Sequence, residues 1–325
     1  MPDVTDPPPA AVQQEIDTLS GLLDREVPAK SADNLLIATW NIRCFGGLTK
    51  KWEAGSGDSP KRDWHALRLI AEVVSRFDVI AIQEVKSELT AIRELIRVLG
   101  PDNWGVILTD VTYGNAGNDE RFAFVYDRRR LQQDGLACEL VVSEEGPWKL
   151  SDISFREQFA RTPYAVAFKN HKASFVLVTL HILYGTNAED RLPEILTIAE
   201  MLGYWAKRRP DSVWSTDFIA LGDFNIEGRE DAEGQDAVLL NAFTSSGLRP
   251  ASWLRDAPRT IFASGANHYY DQVAWFHNSV GSALSFPDRA GGFVDFTTAC
   301  YPGMSTTALS WRVSDHYPLW VEFGV

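Results

Sequence analysis

The chain has 325 residues, 45% of them hydrophobic, so it can bury a large core, and its length allows one α/β domain or two. Its formal net charge of -13 excludes polyanion binding driven by bulk attraction; nucleic acid would have to be held by a local basic patch or by bound cations. Three widely spaced cysteines, Cys44, Cys138 and Cys300, argue against a disulfide framework and against a cysteine-type zinc site.

Residues 1–34 differ from the rest. They carry seven acidic and two basic side chains, and Pro7-Pro8-Pro9 is stiff and extended. Val12 to Leu23 can form a short helix with Ile16, Leu19, Leu22 and Leu23 on one side. Such a segment reads either as an acidic, Pro-rich tail whose helix docks on the core or as a disordered leader. Met1 to Ala10 has no apolar signal-peptide region, and no apolar run in the chain is long enough to span a bilayer, so a cytoplasmic location is expected. The main domain is expected over residues 35–325, and a protein starting near Ser31 is expected to keep its site and turnover.

From Leu35 onward strands alternate with helices. The apolar run Ile37-Ala38-Thr39-Trp40 ends in Asn41, and the charged, Gly-containing stretch from Gly46 to Lys61 reads as a long exposed loop. Its Lys50, Lys51 and Lys61 either touch a substrate backbone or are plain solvated charge. Trp64, Leu67, Ile70 and Val74 mark a helix, and Val79-Ile80-Ala81-Ile82-Gln83 a strand that ends in Glu84. Ser87 reads as an N-cap for a helix from Leu89 to Leu99, stopped by Gly100-Pro101. Strand-like runs follow at Val106–Thr109, Phe122–Tyr126, Tyr164–Phe168 and Phe175–Leu180, the last ending in His181. A helix is expected from Leu192 to Trp205, then a strand from Phe218 into Gly222-Asp223-Phe224-Asn225, and another from Val273 to Phe276 behind Tyr270-Asp271. Ser314-Asp315-His316-Tyr317-Pro318 precedes a last apolar strand, Leu319 to Phe323. The runs Arg128-Arg129-Arg130 and Lys207-Arg208-Arg209 are candidate polyanion contacts or solvated charge. Composition alone allows a doubly wound single sheet as readily as two packed sheets.

Several of these strands end in oxygen ligands. A carboxylate emerging from a strand end, as Glu84 does, either pairs with a base or binds a cation, because leaving it half-buried and bare is costly. If Asp223 and Asn225 are extended they share one face while Phe224 points inward; the alternative is an Asx-type turn, which Gly222 also suits. His65, His171, His268 and His277 lack comparable surroundings and are expected to be surface or core residues.

Trp40-Asn41-Ile42, Gln83-Glu84-Val85, Glu120-Arg121-Phe122, Leu180-His181, Gly222-Asp223-Phe224-Asn225, Tyr270-Asp271 and Ser314 to Pro318 occur in this order. With them the chain resembles the endonuclease/exonuclease/phosphatase superfamily, within it the deoxyribonuclease I-like members. The resemblance implies an α/β four-layer sandwich, two packed β-sheets flanked by helices. It also implies a metal-dependent phosphodiesterase, an endonuclease on DNA in the leading reading and an enzyme of phospholipids, inositol phosphates or other small phosphoesters in the alternative. By the same resemblance, Glu84, Asn41 and Asp315 would hold Mg²⁺ or Mn²⁺, for which oxygen ligands are suited. His181 with its partner Glu120, and His316 with Asp271, would manage protons at the phosphate, while Asp223 and Asn225 orient water and a phosphoryl oxygen. Arg161 and Lys86 would contact phosphate; Lys86 stands where these enzymes have an arginine, which keeps the charge and loses the bidentate fork.

Overall fold

Apolar runs that cannot stay in water become the inner strands of two sheets, and the amphipathic segments between them become the outer helices. The computed structural model describes residues 2–142, 159–187, 190–206, 214–227, 235–263, 268–278 and 281–325. In chain order the elements are α1 (Ala10–Glu26), β1 (Asn34–Phe45), α2 (Trp64–Ser75), β2 (Val79–Lys86), α3 (Thr90–Leu99), β3 (Trp104–Leu108), α4 (Gly114–Gly117), β4 (Glu120–Asp127) and β5 (Gln132–Glu139). Then come β6 (Tyr164–Lys169), β7 (Ser174–His181), α5 (Leu192–Ala206), β8 (Phe218–Asp223), α6 (Gln235–Thr244), β9 (Leu248–Pro250), β10 (Asp271–Asn278), β11 (Gly281–Ser282), β12 (Asp288–Phe293), α7 (Thr306–Arg312) and β13 (Leu319–Gly324).

One sheet has the order β12-β13-β1-β2-β4-β3; the other runs β11-β10-β8-β7-β6-β5, with β9 paired to β10. The parallel pairs β1/β2 and β7/β8 need crossovers, which α2 and α5 provide. Leu35, Ile37, Val79, Ala81 and Phe124 of the first sheet pack against Val166, Phe168, Leu177, Ile219, Leu221 and Val273 of the second. The outer face of the first sheet carries α1, α2 and α3, and that of the second carries α5 and α6. The molecule is therefore the four-layer sandwich and not a single doubly wound sheet. Strands such as β2 and β8 are buried on both faces, which explains their nearly unbroken apolar sequences.

Helix α1 is longer than Val12 to Leu23, and its Val12, Ile16, Leu19 and Leu23 are buried against the core that α2 builds. Val4 and Val27 join the same cluster, and Asp3 pairs with Arg97 at 2.9 Å. Helix α2 starts where Asp63 accepts a hydrogen bond from the Ala66 amide. Ser87 is not the cap of α3: Leu89 takes that position without a side-chain bond, and Thr90 Oγ1 donates to Glu88 instead. The polar strand β5 and the short helix α7 carry little hydrophobic pattern and are not evident in the sequence.

The stretch from Gly46 to Lys61 is folded upon itself. Lys51 pairs with Asp58 at 2.6 Å, and Lys61 Nζ donates to the Gly55 and Ser56 carbonyls. Arg129 grips Asp127, while Arg130 reaches Asp78 and the carbonyls of Ser31 and Asn34. Arg130 fastens the segment before β1 to the start of β2; Lys207-Arg208-Arg209 lies outside the described residues. No helix among the described residues is long and apolar enough to cross a membrane. The three cysteines are free.

Candidate active site

Strand register assembles the site. On the second sheet His181 of β7 stands opposite Asp223 of β8, and Asp223 stands opposite Asp271 of β10. On the first, Lys86 of β2 stands opposite Glu120 of β4. The sheets meet at these ends through Asn41, whose Nδ2 donates to Asp223 Oδ2 at 3.1 Å and to Glu84 Oε1 at 3.2 Å. Deeper in the sandwich, Gln83 Nε2 donates to Thr179 Oγ1 at 3.0 Å and fixes one sheet on the other.

The backbone around Glu84 is bent to aim its side chain. Glu84 has φ +60° and Cys44 φ +48°, and the ladders slip between Asn41 and Phe45 and between Ile82 and Val85. Left-handed residues other than glycine cost about 1–3 kcal/mol each, so the neighbours must hold them. The Cys44 amide donates to Glu84 Oε2 at 2.9 Å. Buried Arg62 donates to the carbonyls of Arg43, Cys44, Arg312 and Val313, tying the bulge to the segment after α7. Ser314 Oγ donates to the Asn41 carbonyl at 2.6 Å, and Trp40 Nε1 donates to the His316 carbonyl at 2.8 Å. Across the site, a side chain at Gly222 (φ +139°) would collide with the Leu180 carbonyl oxygen, so only glycine lets β8 lie this close to β7.

Two imidazole–carboxylate pairs flank Asp223. His316 Nδ1 bonds Asp271 Oδ2 at 2.7 Å, which leaves Nε2 for a substrate. Burial works against a charged His316, but Asp271 outweighs it and raises the imidazole well above its ordinary value. Burial lifts Asp271 to about 6, against the pull of His316. Buried Arg259 donates to the Asp271 carbonyl and fixes the strand start. On the other side His181 Nδ1 lies 3.4 Å from Glu120 Oε2, and its Nε2 lies 3.7 Å from Asp223 Oδ2. Burial disfavours a charged Asp223, yet His181 and His316 prevail and its carboxyl is shifted down.

Glu120 is the hub of the second pair. It accepts from Lys86 Nζ at 2.9 Å, from Arg161 Nε at 2.5 Å and from Asn118. Burial pushes its carboxyl up, but His181, Arg161 and Lys86 bring it down to about 2. A depressed folded-state value stabilises the fold above the unfolded value near 4.5 and is lost as the pH falls toward about 2. Melting temperature is therefore expected to drop through that window, and less steeply in Glu120→Gln. Parallel curves for the two proteins would show that these cations do not hold the proton off Glu120.

Glu84, Asn41, Asp223, Asp271, His316, His181 and Glu120 thus come together. Arg161 and Lys86 are in the site too, but both are engaged by Glu120. Asp315 pairs with Arg43, whose Nη1 lies 3.4 Å from its Oδ2. Asn225 is not extended. Its φ is +50°, its amide donates to Asp223 Oδ1 at 2.9 Å, and its Nδ2 donates to the Ile182 carbonyl. The Asx turn therefore forms, and Asn225 shapes Asp223. Sequence reasoning missed Arg62, Arg259 and Glu194, buried polar residues outside any motif. Glu194 of α5 accepts from the Ala160 and Leu183 amides and so positions the chain beside Arg161 and His181. His268, expected as a surface or core residue, stacks on Tyr270 with ring centres 4.8 Å apart.

Two groups of ligands merit comparison for a cation. Asp223, Asp271 and His316 offer atoms within 4.8 Å of one another, but the His316 Nδ1 and Asp271 Oδ2 atoms already bond each other. Beside them, Asn41 Oδ1 is buried with no hydrogen-bond partner, next to the Glu84 carboxylate, which has no ion pair among the described residues. An orphaned carbonyl oxygen and an unneutralised carboxylate fit a hard divalent ion such as Mg²⁺ or Mn²⁺.

Residues 38–316 match the family model of the Endonuclease/Exonuclease/phosphatase family. A deoxyribonuclease of Thioalkalivibrio sp. (strain K90mix) is 25% identical over 308 residues, covering 91% of this chain and 73% of that protein. Deoxyribonuclease-1 of Sus scrofa is 28% identical over 313 residues, covering 93% of each. In three dimensions the mannosyl-6-phosphatase Bt3783 of Bacteroides thetaiotaomicron superposes with a TM-score of 0.56 at 18% identity, over 89% of this chain and 99% of that one.

Proposed function

The chain belongs to the endonuclease/exonuclease/phosphatase family and is a phosphoester-hydrolysing enzyme; from that premise we propose that it is a divalent-metal-dependent nuclease that cuts DNA. The observation that supports this most is the placing of two imidazole–carboxylate pairs on either side of Asp223, beside the orphaned oxygen of Asn41. Glu84 and Asn41 would hold the metal. Bound there, it would offset negative charge on the scissile phosphate. The carboxylate of Asp223 accepts a hydrogen bond from the attacking water. The water oxygen bonds to phosphorus as the bond to the leaving ester oxygen breaks. His316, charged and held by Asp271, donates from Nε2 to an oxygen of the reacting phosphate, and His181 approaches from the Glu120 side. The water's proton passes to the Asp223 carboxylate, and the departing alkoxide takes its proton from His316 Nε2.

The names of the curated relatives favour DNA. A second reading, a small phosphoester as substrate, draws on Lys86 and Arg161 Nε being held by Glu120, which offsets part of their charge toward a long polyanion. A panel of plasmid DNA, RNA, sphingomyelin and inositol phosphates, each with and without chelator, separates the two. Plasmid is expected to be nicked, the chelator to stop nicking, and added Mg²⁺ or Mn²⁺ to restore it. Undiminished cleavage in excess chelator would remove the metal from the scheme, and faster turnover of a small phosphoester would remove the nuclease.

A further inference from the structure

Beyond the hydrolytic centre, a chain of contacts leads outward to an aromatic surface. Asp315, next to His316, pairs with Arg43 at 3.4 Å, and Arg43 Nη1 donates to Ser310 Oγ at 2.8 Å. The Arg43 guanidinium then lies 3.8 Å from the ring centre of Trp311. Trp311 projects from α7 and is 46% exposed, although an indole of this size is normally covered. It lines a cleft of about 390 Å³ together with Met304, Ala308 and the backbone near Gly55 and Ser56.

The lining states what the cleft accepts. It is largely apolar, with an aromatic wall, and no carboxylate among the described residues lines it. Its cations among the described residues are Lys61 and Arg312. Arg312 is neutralised by Asp63 at 2.7 Å, while Lys61 spends two donors on carbonyl oxygens and pairs with no carboxylate among the described residues. A flat ring carried on an anionic backbone matches this combination: stacking on the indole, charge near Lys61. The volume suits one base with its sugar. Building on the nuclease reading, we propose that the Trp311 cleft is a subsite for a nucleobase of the bound strand, reached when the strand exposes that base.

The test compares a single-stranded deoxyoligonucleotide with a matched one whose nucleotides carry stable abasic sugars. Stacking of a base on an aromatic side chain is worth about 1–3 kcal/mol, so Trp311→Ala is expected to raise KM on the base-bearing strand by roughly fivefold to 150-fold. On the abasic strand KM should be the same for both proteins, and Trp311→Phe should recover most of the loss on the base-bearing strand. Because the side chain is half exposed, thermal melts of the variants should overlay that of the parent protein. An equal rise in KM on both strands, or none on either, would overturn the subsite while the nuclease reading stands. Wild-type protein that cleaves neither strand but hydrolyses a small phosphoester overturns the nuclease reading and the subsite with it.

Discussion

Replacing His316 by alanine is expected to lower turnover by about 10²–10⁴-fold, the range lost with a positioned acid–base group. The effect should fall on kcat, because the imidazole meets the phosphate most strongly as charge develops. Stability should change little. Asp271 would lose its partner, but burial has already raised its carboxyl to about 6, so it can take up a proton with little penalty. His316→Asn is the companion variant, since its amide can still donate to Asp271 while lacking the acid. Both variants should show this loss and remain folded. Asp271→Asn tests positioning: it leaves the imidazole present without the carboxylate that fixes Nδ1, and its loss should be smaller and pH-dependent. The check is steady-state kinetics on plasmid DNA beside thermal melts. Near-normal turnover in either His316 variant would exclude the imidazole from the chemistry.

What was legible in the sequence follows from what a motif records. Glu84, Asp223, Asp271 and His316 each sit at the end of an apolar run, and strand ends are where a two-sheet sandwich places side chains that both sheets can reach. Such runs also made the central strands readable. The pairing of His181 with Glu120 was visible only through resemblance, because those positions are brought together by the packing of one sheet on the other and not by spacing. Asn225 was open between two conformations, and its amide bond to Asp223 decided for the turn. Arg62 and Arg259 left no trace: a lone arginine looks like surface charge until the fold surrounds it with carbonyls. Asp315 was legible as a second metal carboxylate only by resemblance; in the fold the cation it meets is Arg43.

Deleting residues 2–33 is expected to cost the protein most of its stability, although no catalytic side chain lies there. Treated as a sequence, that segment is an acidic tail that can be removed at Ser31. In the fold its Val4, Val12, Ile16, Leu19, Leu23 and Val27 belong to the same buried cluster as Leu67, Ile70 and Val74 of α2. Fully burying such a side chain contributes about 1.5–3 kcal/mol, so losing six exceeds the typical 5–15 kcal/mol margin of a domain or comes close to it. Polar ties go with them: Lys30 pairs with Asp127 at 3.1 Å and lies over the Trp104 ring, and removing it leaves the buried carboxylates of Asp78 and Asp127 with fewer cations. The truncated protein should be insoluble or melt far below the full chain. Leu19→Ala and Leu23→Ala provide a graded version, each expected to cost about 2–5 kcal/mol because both side chains are completely buried. Activity separates packing from chemistry. At temperatures where the two leucine variants remain folded, their kcat should match that of the parent, because α1 packs on α2 and not on the strand ends that carry Glu84, Asp223 and His316. A deletion that melts within a few degrees of the full chain would show that α1 only rests on the core. A folded leucine variant with reduced kcat would show instead that the helix reaches the active site.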